Sequence, residues 1–377
     1  MTSVPVNTPL ITDEDKQSVM DALNSNWISS SSPSIEEFEH AWASYCGRKF
    51  GIAVANGTAA LELSVRALDI GPGDEVIIPN FTIISCASAV LLTGATPVIV
   101  DVKLEDMCID VSKVEAAITA KTKAIMAVHI YGYAADMKAI LDLARKYNLK
   151  VIEDAAEMHG GELEIETNSW KRAGSFGDIS TFSFFVNKLI STGEGGMLLT
   201  DDLETANRLK LLRNLGFTTP RYLHSIQGFN YRMTGLQATL GVSQVSRMSK
   251  ILQIKSNLYE KYMLGLSGLE KYIKLPKYPS WVRSSYWVFP IVVNEESDRD
   301  ELVQYLNENG IETRNFFISM SEQPYLKGKF KEVGELKNSQ KLSKCGLYVP
   351  SGLGLSGTDQ DIVINKVKSY FIDRYNI

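Results

Sequence analysis

Lys188 is the residue whose surroundings in the sequence most clearly suggest chemistry. It is a lone lysine that follows an aromatic run, residues 181–185, and opens a loop rich in glycine, serine and threonine. An amine beside an apolar strand end is poorly solvated, which lowers its pKa and suits it to Schiff-base chemistry. Ser183, five residues earlier, could reach an anion beside it. Taken alone, such a lysine is more typical of a surface side chain whose stem lies on apolar neighbours.

Two other segments end predicted strands with polar residues. Glu153 and Asp154 close an apolar run, where a carboxylate is costly unless a cation or a hydrogen-bond donor accompanies it. A protonated pyridine nitrogen is one such partner, because each charge favours the ionised form of the other; a structural acid that caps the next helix is the alternative. Asn56, Gly57 and Thr58 open a predicted helix, whose free N–H groups attract anions. A simple helix cap is the alternative there.

Together the three segments supply the parts of a pyridoxal phosphate (PLP) site. The helix start would hold the phosphate, the acid would pair with the ring nitrogen, and the lysine would bond to the cofactor. Each part has a common structural explanation by itself, whereas their combination does not. The sequence therefore predicts a PLP enzyme with Lys188 as its catalytic residue.

The elements that would position these residues alternate between strand-like and helix-like patterns. This alternation is typical of a mostly parallel sheet with helices on both faces, and such sheets bind ligands at the carboxyl ends of their strands. The predicted strands are residues 51–55, 75–79, 96–100, 123–128, 150–153 and 179–185, and the predicted helices of this half are residues 59–68, 111–118 and 137–147. The segments expected to meet a ligand are residues 56–58, 79–85, 129–133, 154–160 and 187–196.

The pattern changes near residue 235. Residues 236–272 suggest one or two helices, with Gly241 as an interruption, and residues 286–293 suggest a strand that Pro290 restricts to a sheet edge. Two further helices are predicted, over residues 298–309 and 359–370.

These patterns divide the chain into two domains, for which a length of 377 residues is sufficient. Residues 1–245 would form a large PLP-binding domain, with the N-terminal segment free to pack on the smaller one. Residues 246–377 would form a small C-terminal α+β domain.

The composition limits the class of protein. The chain is 45% hydrophobic and 22% charged, with a net charge of −5, which argues against the broad basic face that nucleic acids require. Its four cysteines and four histidines are scattered, without a metal-binding spacing. No signal peptide or membrane-spanning run is apparent. We therefore expect a cytoplasmic protein that uses no metal and binds neither nucleic acid nor membrane.

Several motifs, in the same order and at approximately the same spacing, resemble those of the nucleotide-sugar aminotransferases of the DegT–StrS type. They are residues 27–30, 56–58, 153–157, 182–188, 192–196 and 349–351. The resemblance covers almost the whole chain and implies the α/β fold of PLP-dependent transferases of fold type I. That fold has a large domain with a mostly parallel seven-stranded sheet and a smaller C-terminal α+β domain. The family also implies pyridoxal 5'-phosphate as cofactor and a homodimer whose active sites are shared between subunits.

The resemblance further implies roles for individual residues. Lys188 would bond to the cofactor and then move a proton between the cofactor and the sugar carbon, Asp154 would pair with the pyridine nitrogen, and Glu157 would lie near the ring hydroxyl. The implied cofactor-binding residues are Gly57, Thr58, Ile83, Asp154, Glu157, Ser183 and, from the neighbouring subunit, Asn230. The implied substrate residues are Trp27, Ser29, His159, Tyr231 and Arg314, with a packed interior position as the alternative for His159.

Within the family, the segments that look most like the GDP-perosamine synthases are residues 27–30, 182–188 and 229–234. This resemblance implies transfer of an amino group from L-glutamate to C4 of GDP-4-keto-6-deoxymannose, which gives GDP-perosamine for O-antigen or other polysaccharide biosynthesis. The sequence departs from that group at three places. Ile83 stands where an aromatic residue often stacks on the cofactor, the turn after Arg314 lacks a histidine, and residues 162–172 look longer than the usual hairpin.

Four other functions share parts of this pattern. A 3- or 4-keto sugar linked to UDP or dTDP stays open, because the three departures fall where cofactor or sugar would bind. A sugar dehydratase of the same family is disfavoured, since its best-known branch has histidine in place of Lys188. A non-catalytic PLP-binding regulator is disfavoured by the lack of a basic stripe or a DNA-binding module. A nicotinamide-dependent dehydrogenase is rejected, because no GxGxxG follows the first strand.

Overall fold

A computed structural model describes residues 3–220 and 222–376 of the chain. In chain order, the helices are α1 Asp13–Ser25, α2 Pro33–Cys46, α3 Gly57–Ala67, α4 Ser85–Leu92, α5 Val111–Ala117, α6 Met137–Tyr147, α7 Leu203–Arg213, α8 Gly235–Val245, α9 Met248–Gly265, α10 Glu296–Glu308, α11 Lys337–Cys345 and α12 Gly357–Tyr375, with short 3₁₀ helices at Met320–Glu322 and Pro324–Leu326. The strands are β1 Phe50–Val54, β2 Glu75–Pro79, β3 Thr96–Val100, β4 Thr122–Val128, β5 Lys150–Asp154, β6 Glu162–Glu166, β7 Ser169–Arg172, β8 Ile179–Ser183, β9 Gly196–Thr200, β10 Phe217–Thr218, β11 Leu223–His224, β12 Ile273–Lys274, β13 Val282–Arg283, β14 Phe289–Val293, β15 Arg314–Asn315, β16 Lys331–Val333 and β17 Gly346–Val349.

Within the described residues, the largest sheet has eight strands in the order β1-β9-β8-β5-β4-β2-β3-β16. From β8 to β16 the neighbouring strands are parallel, while β9 pairs antiparallel with β1 and with β8. The mostly parallel sheet predicted from the sequence is therefore confirmed. The sheet has one strand more than the seven expected. The additional strand is β16, a three-residue edge strand that no apolar run in the sequence indicated.

Apolar cores on both faces of the sheet explain the continuous hydrophobic runs in its strands. Successive strand residues point to opposite faces, so Ile77 lies in one core while Val76 and Ile78 lie in another. Phe38 of α2 packs in the first core and Val65 of α3 in the second. A helix layer on each face thus buries the sheet and leaves the loops at the strand ends to form a site.

The C-terminal part of the chain forms a four-stranded antiparallel sheet in the order β12-β14-β17-β15. The N-terminal segment lies against this part: the N–H of Val4 donates to the carbonyl of Gly310 at 2.8 Å, and the N–H of Ser351 donates to the carbonyl of Val6 at 3.2 Å. The domain boundary at residue 245 falls between α8 and α9 and stays a prediction. β16 crosses that boundary, because it lies C-terminal to it and pairs with the large sheet.

Two expectations for the C-terminal half are wrong. Gly241 does not interrupt a helix but lies inside α8, where an added Cβ would come within 2.6 Å of the Phe38 ring. The helix break falls instead between α8 and α9. Pro290 lies not in an edge strand but in β14, between β12 and β17. β12 pairs with β14 only at Val292 and Val293, so at Pro290 the only neighbouring strand among the described residues is β17. Proline has no N–H, but on the β12 side no described strand is present at Pro290 to accept a hydrogen bond.

Candidate active site

A cavity of about 450 Å³ lies at the carboxyl ends of the parallel strands. Loops that follow β1, β2, β5 and β8 contribute to its wall, together with residues from the C-terminal part of the chain. The residues predicted from the sequence that line it are Gly57, Thr58, Ile83, Asp154, Glu157, Ser183 and Lys188. The fold therefore brings the three chemical segments of the sequence together in one place.

Lys188 reaches this cavity from the loop between β8 and β9. Its Nζ atom lies 3.5 Å from Oε1 of Glu157 and 3.7 Å from the centroid of the Trp287 ring, and its side chain is 10% exposed. Burial lowers the pKa of Lys188, and the nearby carboxylates of Glu157 and Asp154 oppose that shift. A buried amine with a lowered pKa is more readily available as a nucleophile or base than a surface lysine.

Asp154 ends β5, and hydrogen-bond donors surround its carboxylate. Oδ1 accepts a hydrogen bond from the N–H of Ala156 at 3.1 Å, and Oδ2 lies 3.5 Å from Sγ of Cys86. Burial raises the pKa of Asp154, while the Ala156 N–H and the charge of Lys188 counteract the rise. Among the described residues, none forms an ion pair with this carboxylate, which is 2% exposed. A protonated ring nitrogen would supply the missing partner, so the site fits PLP at this point.

The start of α3 forms a cradle for an anion. The side chain of Asn56 caps the helix by accepting a backbone hydrogen bond at 2.8 Å, and the first turn presents N–H groups without intrahelical partners. An added Cβ on Gly57 would lie 2.8 Å from Cβ of Ser183, so glycine permits this close approach. Oγ1 of Thr58 lies 2.8 Å from Oγ of Ser85. Hydroxyl groups and helix N–H groups at one point are the donors that a phosphate requires.

Glu157 connects Lys188 to the wall of the cavity. Oε2 accepts a hydrogen bond from the N–H of Tyr131 at 3.0 Å, and Oε1 faces Lys188. Burial raises the pKa of Glu157, and the charge of Lys188 together with the Tyr131 N–H opposes the rise. The carboxylate is thus fixed in position beside the amine and is able to share a proton with it.

Glu153 precedes Asp154 in β5, and its side chain lies on the opposite face of the strand. Burial alone would raise its pKa, but hydrogen bonds from His129 and from backbone N–H groups lower it to about 2. The groups that donate to its carboxylate are Nε2 of His129 at 3.0 Å, the N–H groups of Gly174 at 2.6 Å, Phe176 at 2.9 Å and Gly177 at 3.2 Å, and the hydroxyl of Ser180 at 2.8 Å. Glu153 therefore organises the loop before β8.

Replacing Glu153 with glutamine is expected to destabilise the protein by about 3 kcal/mol at neutral pH, because the new amide would face buried N–H donors. Since the pKa of Glu153 lies below its ordinary value of 4.5, its stabilising effect is complete above that value and is lost as the pH falls towards 2. The difference in unfolding free energy between wild type and variant should therefore shrink as the pH falls from about 4.5 towards about 2. Denaturant titrations measure this difference, and one that stays constant with pH would contradict the role.

Two of the predicted substrate residues, His159 and Tyr231, lie outside the cavity lining and are packed against other side chains. His159 is 1% exposed and is enclosed by the rings of Trp42, Phe182 and Phe184, with centroids 5.3 to 5.5 Å away. Burial lowers the pKa of His159 to about 3, so the ring is neutral. The structure therefore shows the packed interior position for His159 and gives no support to a substrate role.

Tyr231 is likewise engaged within its own chain. Its hydroxyl donates to Oε2 of Glu62 at 2.9 Å, and its ring stacks on Phe229 at a centroid distance of 5.1 Å. These contacts hold Tyr231 against α3 and outside the lining of the cavity. Its substrate role stays a prediction.

Four other predicted residues are exposed and lie outside the cavity lining. Trp27 is 53% exposed, and Ser29 is exposed beside it in the turn between α1 and α2. Asn230 is exposed as well. Arg314 is exposed in β15, where it pairs with Tyr348, a residue that does line the cavity. A single chain thus brings seven of the predicted residues to the cavity and leaves the roles of these four as predictions.

Several lining residues were not predicted as site residues. They include Ser85, Asn187, Trp287, Phe317 and Tyr348. Ser85 and Asn187 fall in segments expected to meet a ligand. Phe317 lies in the turn after Arg314 that lacks the expected histidine. Trp287 and Tyr348 reach the site only through the packing of the C-terminal part, for which the sequence carries no local signal.

Within residues 3–220 and 222–376, no group of three or more histidine, cysteine, aspartate or glutamate side chains is arranged to hold a metal ion. In the same part of the chain, no helix has the length and apolar character needed to cross a membrane.

The sheet and the cavity together define a class of protein. A mostly parallel sheet that places a buried lysine, an unpaired acid and a phosphate cradle at its carboxyl ends is the arrangement of a PLP-dependent transferase of fold type I. Comparison with known proteins then gives the family. A profile of the DegT/DnrJ/EryC1/StrS aminotransferase family matches residues 9–368, and the chain belongs to this family.

Individual relatives align along nearly the whole chain. The GDP-perosamine synthase of Caulobacter vibrioides is 41% identical over 364 residues, which cover 96% of each protein. The GDP-perosamine synthase of Vibrio cholerae is 37% identical, over 98% of this chain and 99% of that protein. Among solved structures, the aminotransferase TlmJ from Streptoalloteichus hindustanus matches with a TM-score of 0.91 at 26% identity, over 98% of this chain and 99% of that one. The resemblance found in the motifs, the PLP cofactor and the aminotransferase class are confirmed.

Proposed function

We propose that this chain transfers the amino group of L-glutamate to C4 of GDP-4-keto-6-deoxymannose, giving GDP-perosamine and 2-oxoglutarate. The observation that carries the proposal is the position of Lys188, between Glu157 and the face of Trp287, in a cavity that also contains Asp154. The choice of sugar and nucleotide is supported by the two GDP-perosamine synthases that align with nearly all of the chain.

Lys188 performs the central steps of the proposed reaction. Bound PLP supplies an aldehyde that takes up the amino group and a ring that accepts the electron pair left when a neighbouring C–H bond breaks. Lys188 is placed to hold the cofactor and, once released, to remove a proton from one carbon and return it to another. Its burial favours the unprotonated amine that both tasks require. Glu157, 3.5 Å away, holds the amine in position between these two tasks.

The other cofactor residues fix orientation and charge. Asp154 would hold the ring nitrogen in its protonated form, because the buried carboxylate and the ring cation stabilise each other. The hydroxyls of Thr58, Ser85 and Ser183, with the N–H groups at the start of α3, would hold the phosphate. Ile83, which is 38% exposed at the cavity, would make an aliphatic contact with the ring.

The proposal includes a cytoplasmic homodimer that supplies a polysaccharide pathway such as O-antigen synthesis. Asn230 supports the dimer, because it is exposed and outside the cavity of its own chain, as a residue that serves a neighbouring subunit would be. Apolar side chains are exposed close by in the sequence: Leu223 is 52% exposed and Ile226 39% exposed. A subunit interface over this region would bury them and carry Asn230 to the partner's cofactor.

A panel of keto sugars tests the choice of substrate. The protein is supplied with PLP and isotopically labelled glutamate, and products are identified by mass spectrometry. We expect kcat/KM for GDP-4-keto-6-deoxymannose to exceed that for UDP- and dTDP-linked 3- or 4-keto sugars by at least about 100-fold, because the correct nucleotide and sugar satisfy polar groups that the others leave unpaired. Lys188→Ala serves as the inactive control.

The opposite preference would identify a second candidate, an aminotransferase for a UDP- or dTDP-linked sugar. Phe317 favours keeping this candidate in the panel, because it lines the cavity in the turn where a histidine was expected. Turnover of those sugars without turnover of the GDP sugar would overturn the perosamine proposal and leave the aminotransferase class intact.

A further inference from the structure

Lys255 is a buried lysine without a charge partner. It lies in α9 and is 2% exposed, and among the residues that the structure describes no carboxylate forms an ion pair with it. Removing an ammonium group from water without a counter-charge is costly, and burial lowers the pKa of Lys255 to about 7. An apolar side chain of similar length would fill the same space at lower cost. The contacts of the amine therefore have to account for its presence.

The Nζ atom of Lys255 joins the ends of two neighbouring strands. It donates one hydrogen bond to the carbonyl of Trp287, at 2.9 Å, and another to the carbonyl of Ser351. Trp287 lies just before β14, and Ser351 lies just after β17, which pairs with β14. One amine thus fixes two backbone segments of the C-terminal part relative to α9.

One of these segments bonds directly to Asn187, the residue before Lys188, and the other reaches Asn187 through the N-terminal segment. Nε1 of Trp287 donates to the carbonyl of Asn187 at 2.8 Å, and the same indole ring lies 3.7 Å from Nζ of Lys188. Ser351 bonds to the N-terminal segment, from which Nδ2 of Asn7 donates to the same Asn187 carbonyl at 3.1 Å. Two hydrogen-bonded routes therefore run from Lys255 to the loop that carries Lys188.

We propose that Lys255 is a positioning residue for Lys188: by holding Trp287 and Ser351, it fixes the Asn187 carbonyl and with it the approach of the catalytic amine. The inference rests on the role proposed above for Lys188. Close packing agrees with it, because the gap that Lys255, Asn187 and Lys188 help to line is only about 10 Å³, enough for no more than one water molecule.

The test compares Lys255→Met with Lys250→Met, the same substitution at an exposed position of α9. Hydrogen exchange is followed by mass spectrometry on the full-length protein, with and without PLP. Lys255→Met should increase exchange in peptides that cover residues 185–190 by at least about tenfold, and leave the strands of the large sheet unchanged. It should also lower kcat by about 10- to 100-fold with KM for the sugar within about twofold, because the reacting amine is displaced. Lys250→Met should change neither quantity.

A second variant tests whether the effect passes through the tryptophan. Trp287→Phe removes the N–H that Asn187 accepts and should also increase exchange in residues 185–190. Combining it with Lys255→Met should add little to the effect of Lys255→Met alone, because that variant already interrupts the route through Trp287. If Lys255→Met does not fold, Lys255→Gln is used in its place. Glutamine retains a hydrogen-bond donor, so a smaller increase of hydrogen exchange in residues 185–190 is expected.

Some results would overturn the inference. They are unchanged exchange in residues 185–190, a uniform increase across the large sheet, or fully additive effects of the two variants. Failure of the proposed function would be seen separately, as amino transfer that persists in Lys188→Ala, whereas exchange in the loop is measured without reference to activity.

Discussion

Replacing Lys188 with alanine is expected to lower kcat for amino transfer by at least about 10⁴-fold, because one side chain would lose both its covalent and its proton-transfer roles. Among the residues that the structure describes at the cavity, Lys188 is the only lysine, and its Nζ atom is the amine that faces Glu157 at 3.5 Å. Steady-state assays with glutamate and a keto sugar measure the loss.

Two controls separate chemistry from charge. Lys188→Arg keeps a positive charge, but a guanidinium remains protonated and does not act as a nucleophile, so the loss should be as large as in the alanine variant. Lys250→Ala, at an exposed site in α9, should keep wild-type activity. A kcat of Lys188→Ala within about tenfold of wild type would exclude Lys188 from the chemistry, since a positioned proton-transfer group alone contributes more than that.

Replacing Asp154 with asparagine is expected to lower kcat by about 10²- to 10³-fold, the range found when a charge-stabilising group is removed from an active site. The amide cannot balance a ring cation, so the bound ring would accept electrons less readily. PLP should also bind more weakly, because the favourable pairing of opposite charges is lost. Steady-state kinetics and a PLP titration measure the two effects.

The stability of the cofactor-free protein distinguishes this role from a structural one. Burial raises the pKa of Asp154, because it makes the ionised carboxylate unfavourable. Asp154→Asn should therefore leave the unfolding midpoint unchanged or raise it. The neighbouring Glu153→Gln should lower that midpoint, because several buried donors depend on the Glu153 carboxylate. If Asp154→Asn lost stability together with activity, the acid would be structural rather than a partner of the cofactor.

The elements predicted best are strands buried on both faces and a helix with a clear apolar stripe. β2 and β3 are predicted at their observed bounds, Glu75–Pro79 and Thr96–Val100, because continuous apolar runs between turn signals leave little choice. α6 is also predicted at its bounds, Met137–Tyr147, where an apolar stripe faces the sheet. β16 escaped prediction because its three residues pair with β3 across more than two hundred residues of sequence.

The site was predictable where its chemistry follows directly from a strand end. Asp154 ends a strand of the large sheet, and Gly57 and Lys188 lie in the segments that follow two others, so their meeting at the carboxyl edge follows from topology. Trp287 and Lys255 were not predictable. Trp287 depends on how the C-terminal part docks, and a lysine in a helix gives no sign in the sequence that it is buried.

Reduction of the protein with borohydride tests most directly whether Lys188 carries PLP. The treatment makes the bond between lysine and cofactor permanent, and digestion followed by mass spectrometry locates it. The expected result is the reduced cofactor on Lys188 and on no other lysine of the chain. Modification of a different lysine, or active protein without any modified lysine, would contradict the assignment of Lys188 as the catalytic residue.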